Sequence, residues 1–175
     1  GSGGLLRRMI DCPARRDRQA IAACLLIAGG LAQAAEFDLP AASDLRAEAA
    51  RAAQLGGPLV ILYSRRDCKY CETVKRDDLK PLATLPRYRD RLLVRQINQD
   101  SEQALVDFRG EKTTHAHFAT GEKIKLVPVV AFYGPNGGRL AAPIVGARLP
   151  DFYPSYLETA IEQSTAALKA KPSAH

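Results

Sequence analysis

The chain has 175 residues, of which 46% are apolar, and a formal net charge of +6. That length suits one domain with a real hydrophobic core. No apolar run reaches the roughly 20 residues that a membrane-spanning helix needs, and no mixed aromatic and basic patch indicates nucleic-acid binding.

The first 34 residues have the features of an exported precursor. Residues 1–4, GSGG, are interpreted as a cloning remnant. The basic stretch ARRDRQ precedes the longest apolar run, residues 20–32, and Ala32 and Ala34 then supply a cleavage pattern of small residues. We therefore predict a secretory signal that ends at Ala34, a periplasmic protein, and one domain over residues 35–175. The alternative interpretation of the apolar run is a buried amphipathic helix.

The first half of the predicted domain alternates helices and strands. The pattern predicts helix, strand, helix and strand over residues 42–54, 58–64, 72–80 and 91–98. Ser43 is the expected cap of the first helix, and Pro81 is expected to end the second. The run PLVILYS is too short for a helix and is expected to be a buried strand.

The second half begins with a polar segment, residues 99–124, in which a helix is expected around residues 102–109. Strands are predicted at residues 126–134 and 139–146, joined by the turn sequence PNGG. Residues 149–170 are predicted to form a closing helix, with Asp151 near its start and Pro154 in its first turn. The order of elements predicts one α/β domain with a central mixed sheet.

The pair Cys68 and Cys71 lies where the first strand ends and the second helix begins. Signal cleavage would remove Cys12 and Cys24 and leave this pair in a compartment where thiols meet oxidants. The N-terminus of a helix stabilises a thiolate and lowers the pKa of a cysteine placed there. Cys68 is therefore the expected nucleophile toward a disulfide, and Cys71 the thiol that resolves the mixed disulfide.

Other uses of a cysteine pair are less well supported. A pair three positions apart closes too small a loop to be an effective structural staple. Attachment of a c-type haem needs histidine directly after the second cysteine, where Glu72 stands. A structural zinc ion needs four ligands, and His115 and His117 are too close together to complete such a set; they are expected to be exposed loop residues. No metal and no cofactor beyond the cysteine pair is predicted.

The strand, the CxxC that opens a helix, and the later stretch KLVPVVAFYGPNGG together resemble the thioredoxin superfamily over residues 42–168. The resemblance is greatest to small periplasmic (SoxW-like) thiol:disulfide oxidoreductases. It implies a thioredoxin-like fold, with a mixed sheet of four to five strands flanked by helices. It also implies that Pro128 is cis and faces the cysteines, and that the backbone of Val127 binds an extended substrate. Lys69 and Tyr70, between the cysteines, are expected to contact the substrate too. A trans proline that begins an edge strand is the alternative for Pro128.

This sequence departs from thioredoxin at several positions. The buried aspartate of the family falls on Leu62, so the usual proton acceptor is missing. Glu72 is the candidate substitute, and the alternative is that it is only an exposed glutamate of the helix. The distance from the cysteines to Pro128 implies an insertion within residues 99–124.

The predicted function is a secreted thiol:disulfide oxidoreductase that acts on protein substrates, as a reductase rather than an oxidase. Its expected partners are those substrates and a redox donor or acceptor protein, and the protein itself is expected to be a monomer. The rival interpretation is a non-catalytic thioredoxin-like module that senses redox state or holds a metal ion.

Overall fold

A computed structural model describes residues 38–147 and 150–170; the predicted signal, with Cys12 and Cys24, lies outside these ranges. The helices are α1 (Leu45–Leu55), α2 (Lys69–Val74), α3 (Lys80–Thr84), α4 (His115–Gly121) and α5 (Tyr153–Ala170). A π turn, Lys75–Leu79, joins α2 to α3. The strands are β1 (Leu59–Ser64), β2 (Leu93–Asn98), β3 (Ala104–Val106), β4 (Lys112–Thr114), β5 (Val129–Tyr133) and β6 (Ile144–Val145). Among the helices of the described ranges, none is both long and apolar enough to cross a membrane.

Four strands form the central sheet in the order β2-β1-β5-β6. Strand β1 is parallel to β2 and antiparallel to β5, and β5 is antiparallel to β6. All six residues of β1 are buried, as expected for a continuous apolar run covered on both faces. The predicted fold is confirmed: the chain forms a thioredoxin-like α/β fold with a mixed four-stranded sheet flanked by helices.

The sheet separates two hydrophobic cores. One core packs α1 and the region of α4 against alternate residues of β1 and β5. The other packs α3 and α5 against the opposite face of the same strands. The hydroxyls of Tyr63 and Tyr133 lie 2.6 Å apart in the first core, so one buried phenol donates a hydrogen bond that the other accepts.

The predicted helix around residues 102–109 is wrong, because this stretch enters the short antiparallel hairpin of β3 and β4. The Asp107 carboxylate accepts hydrogen bonds from the backbone N–H groups of Arg109 and Glu111, both at 2.9 Å, and so builds the turn. Gly110 completes the turn with a left-handed φ of 84°. The backbone of Val106 then bonds to Ser43 O at 2.9 Å, which attaches the hairpin to the start of α1.

Three element boundaries also differ from the prediction. The cap of α1 is Asp44 rather than Ser43, and its carboxylate accepts from Ala47 N at 2.9 Å. The second helix does not end at Pro81, because the π turn places this proline in the first turn of α3, where a missing N–H is tolerated best. The predicted strand 139–146 is reduced to Ile144–Val145, since Pro143 lacks the N–H that a longer ladder would need.

The π turn contains Asp78, whose carboxyl group lies where its charged form is disfavoured. Burial, with a smaller contribution from the charge of Asp77, raises the pKa of Asp78 to about 6 from an ordinary value of 3.8. Between these two values the folded chain holds a proton that the unfolded chain has released. The free energy of unfolding therefore falls as the pH rises through this window.

Asp78→Asn is accordingly expected to raise the melting temperature by a few degrees at neutral pH, because the amide never becomes charged. Below pH 3.8 the variant and the unsubstituted protein should melt together, since both are then neutral at this position. Asp77→Asn is the matched control, because the Asp77 carboxylate is exposed and bonded to Arg76, and this variant should gain clearly less stability than Asp78→Asn. An Asp78→Asn variant that melts at or below the unsubstituted protein at neutral pH would contradict the expected gain.

Candidate active site

The loop that carries the first cysteine is fixed on both sides. Strand β1 ends at Ser64, whose carbonyl accepts a hydrogen bond from Gln99 N at 2.9 Å. The backbone N–H of Arg66 donates to the Asp100 carboxylate at 3.0 Å. Asp67 then takes a left-handed φ of 55°, which turns the chain into α2. The loop thus holds Cys68 in one orientation at the start of the helix.

Cys68 is the N-cap of α2, and its sulfur accepts a hydrogen bond from Cys71 N at 3.2 Å. The two cysteines form a disulfide with their Cα atoms 5.2 Å apart. Cys68 is 7% exposed, whereas Cys71 is 0% exposed, one turn inside the helix. An incoming sulfur can therefore reach Cys68 more readily than Cys71.

Val127 and Pro128 lie beside the cysteine loop. Val129, the first residue of β5, pairs with Tyr63 near the end of β1 from which the loop departs. The Val127–Pro128 peptide bond is cis. The Pro128 carbonyl accepts from Gly146 N at 2.8 Å, whereas the backbone of Val127 makes no hydrogen bond within residues 38–147 and 150–170. The Val127 backbone is thus available to an extended chain.

The surface at this end of the sheet is partly apolar. Tyr70, between the cysteines, is 67% exposed, and Lys69 beside it is exposed as well. The sequence prediction missed two further exposed apolar residues, Leu126 and Val145. Leu126 directly precedes Val127, and Val145 pairs with Val129. The sequence shows that Leu126 lies next to Val127 and Pro128. The position of Val145 opposite Val129 is known only from the strand pairing in the sheet.

By sequence, Leu62 stands at the position of the family's proton-accepting aspartate. Leu62 is fully buried in the core that packs against α5, and its alkyl side chain cannot accept a proton. The Glu72 carboxylate is bonded to Lys75 Nζ at 3.0 Å, and Lys75 also donates to Asp38 at 2.8 Å. Burial lowers the pKa of Lys75, but the hydrogen bonds to both carboxylates outweigh it and raise the pKa above its ordinary value. The Glu72 carboxylate is therefore paired with the buried ammonium group of Lys75, one turn further along the helix. The burial of Lys75 was not predicted from the sequence.

The two histidines differ from each other, and the expectation for one of them was wrong. His115 is fully buried at the start of α4, because both ring nitrogens have backbone partners. Its Nε2–H donates to Ala42 O at 2.8 Å, and its Nδ1 accepts from Asn98 N at 3.2 Å. His117 is exposed, but in the first turn of α4 rather than in a loop. In the part of the chain that the structure describes, no three His, Cys, Asp or Glu side chains are grouped to hold a metal ion.

The chain is similar to several solved structures of thioredoxin-fold proteins. No curated protein matches the chain. A thioredoxin-fold protein from Helicobacter pylori is 17% identical over 65% of this chain and 80% of its own, with a TM-score of 0.48. A poplar thioredoxin h mutant is 16% identical over 78% of this chain and 91% of its own, with a TM-score of 0.45. A DsbH oxidoreductase is 16% identical over 77% of this chain and 89% of its own, also with a TM-score of 0.45.

The family match covers more than half of the chain. The thioredoxin-like domain family matches residues 45–161, a span that runs from the first residue of α1 into α5. This span includes the cysteine pair, the Val127–Pro128 bond and all four strands of the central sheet. The chain belongs to the family of thioredoxin-like domains.

Proposed function

We propose that this protein is a thiol:disulfide oxidoreductase in which Cys68 is the nucleophile and Cys71 the resolving thiol. The observation that carries the proposal is the N-cap position of Cys68, whose sulfur receives the Cys71 N–H. In the reduced protein the same N–H and the free N–H groups of the first turn stabilise a thiolate at this position. The greater exposure of Cys68 supports the same division of roles.

The proposed reaction is an exchange of one disulfide for another. The Cys68 thiolate attacks one sulfur of a substrate disulfide and releases the other substrate sulfur as a thiolate. The Cys71 thiolate then attacks Cys68, releases the second substrate sulfur and closes the Cys68–Cys71 disulfide. An external dithiol donor restores the pair, so two electrons pass from donor to substrate and no further cofactor is needed. During the exchange the Val127 backbone, Lys69 and Tyr70 contact the substrate chain.

The proposed setting is the periplasm, where a monomer of this protein reduces disulfides of protein substrates. It rests on the signal-like pattern of residues 1–34 and on a domain with one cysteine pair among its described residues. The SoxW-like subgroup stays a prediction. Equilibration with glutathione buffers tests the direction of electron flow: a reductase should have a potential near the value of about −270 mV typical of thioredoxin, and an oxidant one near about −120 mV.

The activity is tested by the reduction of insulin with dithiothreitol as the electron donor. We expect catalytic turnover by the unsubstituted protein and none by the double variant Cys68→Ser, Cys71→Ser, which cannot carry electrons. Zinc content is measured on the same samples. Stoichiometric zinc without turnover would replace the proposal with the metal-holding binding module.

A further inference from the structure

A cavity lies away from the cysteine loop, between the second half of the α2–α3 helix and the start of α5. Its volume is about 430 Å³, within the range of small-molecule sites. The apolar part of its wall consists of Pro81, Leu82, Leu85, Pro86, Pro154 and Leu157. The two helices pack against each other below it, through the core that contains Leu79 and Tyr153.

Three polar groups around this cavity, two of them on residues of its wall, have no partner in the described ranges. The Asp78 carboxylate, in the cavity wall, makes neither a hydrogen bond nor an ion pair there. The hydroxyl of Tyr88, also in the wall, is buried without a hydrogen bond. The hydroxyl of Tyr153 is also buried without a hydrogen bond, and this side chain is only 3% exposed. Buried polar groups are normally hydrogen-bonded, so three unpartnered groups at one cavity indicate a missing partner.

The positions of the groups support a common site. Burial, and to a smaller extent the charge of Asp78, raises the pKa of the Tyr153 phenol, so the two groups lie within electrostatic reach of each other. Tyr153 directly precedes Pro154 of the cavity wall. Asp78 belongs to the π turn, and π turns inside α-helices occur frequently at functional sites.

The other charged side chains of the wall are already paired. Asp77 is bonded to Arg76, and Glu158 is bonded to Arg87, which also binds Glu162. Asp78 is thus the carboxylate in the wall that still lacks a cation among the described residues. A ligand that brought an ammonium group would supply charge-assisted hydrogen bonds to this carboxylate.

We propose that this cavity binds a small organic ammonium ion with an apolar body. The ammonium group bonds to the Asp78 carboxylate in the cavity wall. The apolar body lies against the prolines and leucines of the wall. This site is separate from the proposed redox reaction and does not depend on it, because no cysteine lines the cavity.

The test is a titration of the oxidised protein with 2-phenylethylammonium, followed by amide chemical shifts and calorimetry. We expect saturable shifts confined to residues 77–88 and 153–158. The uncharged 2-phenylethanol and the anionic 3-phenylpropionate have similar apolar bodies and should bind at least tenfold more weakly. No saturable binding of the cation, or equal binding of the alcohol, overturns the proposal.

Matched variants locate the site. Asp78→Asn keeps the shape of the side chain and should weaken binding of the cation at least tenfold. Asp77→Asn should change binding less than twofold, because that carboxylate is already bonded to Arg76. Melting curves confirm that each variant is folded. Unchanged binding by folded Asp78→Asn overturns the assignment, whatever the outcome of the insulin assay.

Discussion

A Cys71→Ser variant is expected to accumulate disulfide-linked complexes with its substrates, visible as discrete bands on a non-reducing gel. The Cys68 thiolate, which is the more accessible of the two, still attacks a substrate disulfide, but no second thiol among the described residues lies within reach to release the product. Cys68 retains the hydrogen bond from the backbone N–H of residue 71, which does not depend on the side chain there. Steady-state reduction should therefore fall to background although the first chemical step survives.

Cys68→Ser is the matched control for this experiment. It should also reduce turnover to background, but it should trap few complexes, because Cys71 is fully buried. Both variants remove the same disulfide, so a difference between them cannot come from loss of the bond alone. Equal trapping by the two variants would contradict the assigned roles of nucleophile and resolving thiol.

His115→Ala is expected to lower the free energy of unfolding by about 2–5 kcal/mol. The substitution leaves a cavity beneath α4 and removes the partners of two backbone groups, Ala42 O and Asn98 N. Those two groups belong to separate segments, which the imidazole ring joins to the start of α4. The loss is measured as the shift of the urea unfolding midpoint of the oxidised protein.

His117→Ala provides the control on the same helix. Its ring is exposed, so the change should stay within about 0.5 kcal/mol. If the two alanine variants unfold at the same urea concentration, then the two hydrogen bonds of His115 do not stabilise the fold. The insulin assay on both variants separates a loss of stability from a loss of activity, because neither ring belongs to the cysteine loop.

The parts of the fold that local patterns specify were predicted well. A continuous apolar run identified β1, and the change from this run to a helix-forming segment located the cysteines at the start of α2. The stretch around Val129 was recognised as a strand for the same reason. In each case the signal lies within a few residues of the element that it predicts.

The errors occurred where distant contacts decide the structure. The segment before the Asp107 turn bonds to Ser43 as well as to the adjacent strand, so its strand conformation depends in part on a residue far outside any short window. His115 was taken for a surface residue because the two backbone groups that it binds come from the start of the domain and from the end of β2. Lys75 is buried through Asp38, another contact between remote segments. Polar residues are buried where such partners exist, and a single sequence does not show them.

The arrangement of the sheet has a consequence for how the protein folds. The cysteines are neighbours in the sequence and can form their disulfide in an unfolded chain, whereas Tyr63 and Tyr133, which join β1 to β5, are separated by 70 residues. Closing so long a loop is slow and takes place only when the sheet assembles. The presence of the disulfide is therefore not evidence that the protein has folded. The Val127 backbone lies beside the cysteine loop only after β5 has joined β1, so a nascent chain can be oxidised long before the proposed substrate site exists.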